Sequence, residues 1–176
     1  MAEYRAVSSS AEVKGSVASA IIDGLMNKEL AKEILARHGL LNVDPNGWYP
    51  EQSWLDAFSD ISGELGDVAL YNIGRVTPDI LNLPSDISSP REALERLDSV
   101  YKSYHRGKSG GYEVMEIGDH YARLTSKNPR PCAYDKGFIT AYIEKFNGGK
   151  PVTIEHEDEM LCRKLSYAEC VYIIKW

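Results

Sequence analysis

Three cysteines carry the sharpest chemistry in this sequence. Cys132 stands just after the proline-rich Asn128-Pro129-Arg130-Pro131, and Cys162 and Cys170 follow near the C-terminus, with Glu159-Met160-Leu161 directly before Cys162. Three thiolates and one carboxylate or imidazole satisfy the tetrahedral preference of Zn²⁺, and four protein ligands make a closed, structural site. The competing reading is plain packing. Free cysteine is among the most buried residue types, and Cys170 stands before the apolar Val171 and Ile173 of a predicted strand.

A second set is aromatic: Trp48, Tyr49, Trp54, Tyr101, Tyr104, His105 and Tyr112. Ligand pockets are mostly apolar with a few convergent polar groups. These residues would line a pocket between the third and fourth predicted helices and the strand after them, with Trp54 and Tyr101 as walls and His105 and Tyr112 as polar contacts. The same residues serve equally well as core with their polar ends bonded to backbone.

Established catalytic signatures are missing. There is no phosphate-binding G-x-x-x-x-G-K, no dinucleotide G-x-G-x-x-G, no H-E-x-x-H and no G-x-S-x-G. His38, His105, His120 and His156 are scattered, with no pair at a metal-ligand spacing on one helix. No nucleophile or acid–base pair stands out, so a non-enzymatic role is expected.

The elements that must position these residues are legible in part. Val13, Val17, Ala20, Ile21 and Leu25 recur at helical spacing, and Asn27 can cap a second helix carrying Leu30, Ile34 and Leu35 that Gly39 ends. Asp44-Pro45-Asn46-Gly47 is turn chemistry, and Pro50 suits the first turn of a third helix with Trp54, Phe58, Ile61, Leu65 and Val68 on one face. Residues 77–89 hold Pro78 and Pro84 among small polar residues and predict a loop. Ser89-Pro90-Arg91-Glu92 then opens a fourth helix as a capping box, with Leu94, Leu97, Tyr101 and Tyr104 on one face.

From Gly110 the period changes to two. Residues 112–117 and 121–125 predict a hairpin turning at Gly118-Asp119, Asp135 can cap a fifth helix closed by Gly148-Gly149, and residues 151–157 and 169–176 predict two last strands. The expected fold is α+β: N-terminal helices packed on an antiparallel sheet of about four strands, with a helix between two C-terminal hairpins. A single domain over residues 1–176 is expected, mainly helical to 108 and sheet-forming from 109.

A chain of 176 residues can bury a core without disulfide staples, and an odd number of cysteines suits a reducing, cytoplasmic compartment. The net charge of −6, with acidic residues spread throughout, argues against a nucleic-acid surface, and His105-Arg106-Gly107-Lys108 reads as a solvated turn. No apolar run approaches a membrane span, and Met1-Ala2-Glu3-Tyr4-Arg5 does not open a signal peptide.

The C-terminal half resembles the 4-vinyl-reductase-type small-molecule-binding domain, a relative of the subunits of the TRAPP vesicle-tethering complex and, more loosely, of haem–nitric-oxide-binding domains. The residues that carry it are Asn128-Pro129-Arg130-Pro131-Cys132, the helix from Gly137-Phe138, and Glu159-x-x-Cys162-x₇-Cys170 followed by Val171-Tyr172-Ile173. The resemblance implies Cys132, Glu159, Cys162 and Cys170 as zinc ligands, with Asp158, Glu157 or His156 able to reach the same point as Glu159. It implies a sensor or adaptor that binds a small hydrophobic or aromatic molecule, a tetrapyrrole or a haem, signals to a protein partner and pairs as a homodimer. The alternatives it carries are a tethering scaffold without a sensing role and a tetrapyrrole-modifying enzyme. This chain departs from the pattern at Leu165-Ser166-Tyr167, where the family usually has a glycine between its last two cysteines.

Overall fold

The structure is a computed structural model and describes residues 3–176; Met1 and Ala2, which entered the reading of the N-terminus for a signal peptide, lie outside the described residues. Two short helices, α1 (Ala18–Gly24) and α2 (Lys28–Arg37), follow a short strand β1 (Glu12–Lys14) and a 3₁₀ turn at Gly15–Val17. The side chain of Asn27 accepts a hydrogen bond from the Leu30 amide at 3.1 Å and so caps α2 as its sequence suggests. Strand β2 (Trp48–Pro50) leads straight into α3 (Glu51–Leu65) and α4 (Asp67–Ile80), then α5 (Pro90–Ser103) and a two-residue strand β3 (His105–Arg106).

The remaining elements are β4 (Tyr112–Ile117), β5 (Tyr121–Ser126), α6 (Cys132–Phe146), β6 (Thr153–His156) and β7 (Cys170–Lys175). The fold is α+β, with helices packed on an antiparallel four-stranded sheet in the order β4-β5-β7-β6. The register sets Ser126 opposite Cys170, Leu124 opposite Tyr172 and Ala122 opposite Ile174. Those six residues are buried, whereas Val171 and Ile173 are only half-buried, so the alternating pattern of β7 aims Cys170 into the core.

Several local expectations change: the loop expected over 77–89 begins only after Ile80, where α4 ends, and His105-Arg106, expected in a solvated turn, forms β3 with His105 buried. Val13 lies on β1 rather than a helix, in a second sheet of order β2-β1-β3, because its partners Tyr49 and His105 come from distant segments and a three-residue strand leaves no local period to detect. Val68 does not continue the stripe of α3. Gly66, at φ +78°, breaks the run, so α4 starts a new direction and leaves Val68 exposed. Finally, α6 starts at Cys132 with Pro131 as its cap, and Asp135 is fully buried within the first turn rather than capping the helix.

α4 lies hard against α6. A Cβ on Gly74 would sit 2.3 Å from the Tyr134 carbonyl oxygen, and one on Gly137 would sit 2.1 Å from that of Tyr71. The two backbones meet through paired glycines, and this contact holds the start of α6 in place beneath the sheet. One hydrophobic cluster runs from Val13 to Ile174 and includes all three cysteines. Among the described residues no helix is long and apolar enough to cross a membrane.

Candidate metal centre

Four segments converge at one end of the four-stranded sheet. Pro131 starts α6 and sets Cys132 in its first turn; Cys170 opens β7; Cys162 precedes the 3₁₀ turn Arg163–Leu165; and His156 ends β6 opposite Tyr172, its ring 4.9 Å from the tyrosine ring. The sulfur atoms of Cys132, Cys162 and Cys170 are 3.1, 3.3 and 3.4 Å apart, and His156 Nε2 is 3.5 Å from the Cys162 sulfur. All four ligand atoms lie within 4.8 Å of one another.

These separations exceed the ~2.05 Å of a disulfide. They approach the edge of a tetrahedron with Zn–S bonds of ~2.3 Å, which is about 3.8 Å. Three soft sulfurs and one imidazole are the donor set of a Cys₃His zinc site. Glu159 is exposed and lies outside this group; it lines the cleft above it, together with Glu3, Asp67, Lys136 and Lys164, in a volume of ≈ 350 Å³. The strand β6 explains the difference. Its pairing with β7 brings His156 beside the sulfurs, whereas Glu159 lies in the turn that follows.

The surrounding groups favour anionic sulfur at Cys170, whereas burial pushes the Cys162 thiol up. The Cys170 thiol is held far below its usual pKa by a hydrogen bond from Cys132, by His156 and by Arg163, while Cys132, the donor in that bond, is pushed up. Arg163 donates from its backbone amide to the Cys170 sulfur at 3.2 Å and approaches it again with Nε at 3.4 Å. The backbone amide of Cys132 donates to Glu3 Oε1 at 2.7 Å.

Behind the cysteines lies a buried polar network. Arg163 and Asp135, neither side chain exposed, form an ion pair at 2.7 Å. Asp135 also accepts from Tyr112 Oη at 2.7 Å and Ser126 Oγ at 2.8 Å, and Arg163 donates to both the backbone and side-chain oxygens of Asn128. Burying two charges is tolerable only with this degree of pairing. The Tyr112 ring meets Tyr101 edge-on at 5.5 Å, and Tyr101 stacks on His105 at 3.9 Å, so the network continues to the second set of residues singled out in the sequence.

There the structure brings Trp54 and His105 onto one small cavity with Glu51, Phe58, Arg130 and Tyr134, while Tyr101 and Tyr112 stand one layer behind it. The enclosed space is only ≈ 10 Å³. Arg130 fills the rest. Its guanidinium lies over the rings of Tyr101, Tyr134 and Phe138 at 4.6, 5.2 and 5.8 Å and donates to His105 Nε2 at 2.8 Å. Since arginine only donates, Nε2 must be the bare nitrogen, and Nδ1–H donates to the Tyr101 carbonyl at 2.8 Å. Burial, and then Arg130, hold His105 neutral, well below its usual pKa.

Glu51, Arg130, Asp135 and Arg163 were not singled out from the sequence as site residues. The nearest signals were the Pro129-Arg130-Pro131 run and the position of Arg163 directly after Cys162. Neither distinguishes a buried arginine from a surface one.

No protein-family model matches this sequence, and no curated protein matches it either. Solved structures do. An H-NOX protein from S. oneidensis, a mutant in the Fe(II) ligation state, aligns with a TM-score of 0.71 at 16% identity over 92% of this chain and 95% of that one. An unliganded Fe(II) H-NOX mutant from K. algicida gives 0.67 at 17% over 92% and 95%, and an Fe(II)CO H-NOX domain from Shewanella oneidensis gives 0.67 at 15% over 92% and 97%. The fold is therefore that of the H-NOX domains, which supports the haem–nitric-oxide-binding side of the resemblance; its 4-vinyl-reductase and TRAPP side has no support here.

The residues of this chain do not fit a haem in this conformation. An enclosed pocket for a ligand of that size needs several hundred Å³, against ≈ 10 Å³ here. The axial bond needs a free lone pair, and the one buried histidine on the cavity has its bare nitrogen committed to Arg130.

Proposed function

We propose that this chain is a zinc-stabilised sensor or adaptor domain whose output leaves through protein contacts. The observation that carries this is the convergence of Cys132, His156, Cys162 and Cys170 within 4.8 Å from four separate segments. Zinc held there ties α6, β6, β7 and the loop before β7 together, which makes the metal part of the folding free energy. Four protein ligands leave no open position for substrate, so the site is structural rather than catalytic.

The H-NOX fold of the neighbours supports a sensing role, with the signal passed to a protein partner. Trp54, Tyr101, His105 and Tyr112 form the wall and backing of the interior site in this reading. Pairing of two copies belongs to it as well. The closed interior favours a second reading, an adaptor or tethering scaffold that takes no ligand at all.

Native mass spectrometry together with a visible spectrum tests these readings. One zinc per chain, a mass of two chains and no visible absorption support the zinc-stabilised dimer without haem. Protein free of metal, or a mass of one chain at every dilution, removes the zinc or the pairing respectively.

A further inference from the structure

Two buried polar atoms on the interior cavity have no partner among the described residues. Glu51 Oε2 and Trp54 Nε1 belong to residues each only 2% exposed, and neither atom has a hydrogen-bond partner among the described residues. They sit three positions apart on the first turn of α3, hence on one face, and both residues line the same ≈ 10 Å³ space. Leaving such groups unsatisfied forfeits their hydration without a replacement, so native proteins rarely do so without a bound water or ligand.

Neighbouring groups do not relieve them. Tyr101 Oη directs its one proton to the Ser109 carbonyl at 2.6 Å and stands 3.5 Å from Glu51 Oε1, a long contact. Arg130 spends Nη2 on His105 and presents its plane to three rings. Of the remaining walls, Val13, Val17, Leu55 and Phe58 offer no polar side chain, and the Tyr134 hydroxyl is paired with that of Thr77 at 3.1 Å. What is missing is one acceptor for the Trp54 N–H and one donor for the Glu51 carboxyl.

We propose that this cavity is a binding site for one uncharged, water-sized molecule that accepts from Trp54 Nε1 and donates to Glu51 Oε2, and that it takes this guest in place of a haem. The volume is about that of a single water. A charged guest is disfavoured, since an ion in so small an enclosure would be buried without a partner of its own. The guest joins two residues of α3 beside the Tyr101–His105–Arg130 stack, and that stack continues through Tyr112 and Asp135 to the cysteine end of the sheet. The site stands on Glu51 and Trp54 themselves; only the idea that its occupant is a signal rests on the sensing reading.

The test is a high-resolution crystal structure of the zinc-loaded protein, of Trp54→Phe and of Glu51→Gln, with haemin titration of the same samples. One ordered water-sized peak within hydrogen-bond distance of both atoms is expected in the parent and in Glu51→Gln, whose amide keeps an acceptor, and loss of the peak is expected in Trp54→Phe. Added haemin should keep the spectrum of free haemin. An empty cavity in the parent, Glu51 or Trp54 turned to a protein partner, or one haem bound per chain would each overturn the proposal. Water-oxygen relaxation dispersion separates the two ideas: a guest that is present but never exchanges keeps the site and removes the sensing role.

Discussion

Arg163 and Asp135 form an ion pair at 2.7 Å with neither side chain reaching solvent, and the arginine of that pair also touches the Cys170 sulfur. A single bond therefore joins the loop that carries Cys162 to the first turn of the helix that carries Cys132. The pair braces the cysteine cluster from behind, and its loss should be felt as stability. Asp135→Asn and Arg163→Met should each cost about 3–5 kcal/mol, because each leaves one buried charge unpaired. The double variant should cost clearly less than the sum. Chemical denaturation of the four proteins checks this, and strictly additive losses would show that the pair is not coupled.

The proposed metal ligands should separate cleanly from their neighbour Glu159. Cys162→Ser, Cys170→Ser and His156→Ala should each release zinc and lower the melting temperature by roughly 10 °C, the scale of losing a few kcal/mol in a domain of this size. Glu159→Gln should leave zinc content and melting temperature within about 1 °C of the parent. Elemental analysis and thermal scans read both. Zinc lost from Glu159→Gln and kept in His156→Ala would reverse the assignment of the fourth ligand.

Burial pushes the Glu51 carboxyl up to about 7, against the opposing pull of Arg130 and Tyr101. The folded state thus holds a proton that the unfolded state releases near 4.5, so this group lowers stability as pH rises from 4.5 to 7, by about 3 kcal/mol in all. His105 acts in the opposite sense: it is held neutral by burial, so its contribution is present above about 6.5 and declines as pH falls below that value. The two overlap, and the informative quantity is the difference between parent and Glu51→Gln. That difference should move in favour of the variant by about 3 kcal/mol between pH 4.5 and 8. A difference independent of pH would mean that Glu51 titrates as if exposed.

Gly74→Ala and Gly137→Ala test the seam between α4 and α6. Each added methyl meets backbone of the facing helix, at 2.3 and 2.1 Å, and backbone cannot rotate away as a side chain can. Overpacking of this kind costs about 1–3 kcal/mol. Gly63→Ala, on α3 with nothing within 4 Å, is the control and should be neutral or slightly stabilising. Equal effects at all three positions would show that the seam is not tight.

Much of the fold was legible where the signals are local. Asn27 and Ser89 cap their helices as their sequence contexts indicate, although Glu92 bonds to Ser88 rather than closing the box on Ser89. The hairpin at Gly118-Asp119 and the inward aim of Cys170 also follow from period-two alternation. The small sheet of β1, β2 and β3 was not legible, because Val13 finds its partners at Tyr49 and His105 across the intervening helices. Nor was α4, whose last turn carries Pro78 and was expected as loop, and whose Gly74 is the contact point with α6.

The site divides in the same way. The three cysteines are conspicuous by type and spacing. The choice between His156 and Glu159 depends on the pairing of β6 with β7, which no local pattern states. Arg130 and Arg163 look like surface residues in the sequence and are buried because Tyr101, Tyr134 and Asp135 receive them.

X-ray absorption at the zinc edge, on protein purified without chelator, tests the central claim most directly. The account expects about one zinc per chain with three sulfur neighbours at ~2.3 Å and one imidazole nitrogen at ~2.0 Å. Zinc surrounded by oxygen and nitrogen alone, or protein without metal whose three thiols react freely with a thiol reagent, would contradict it.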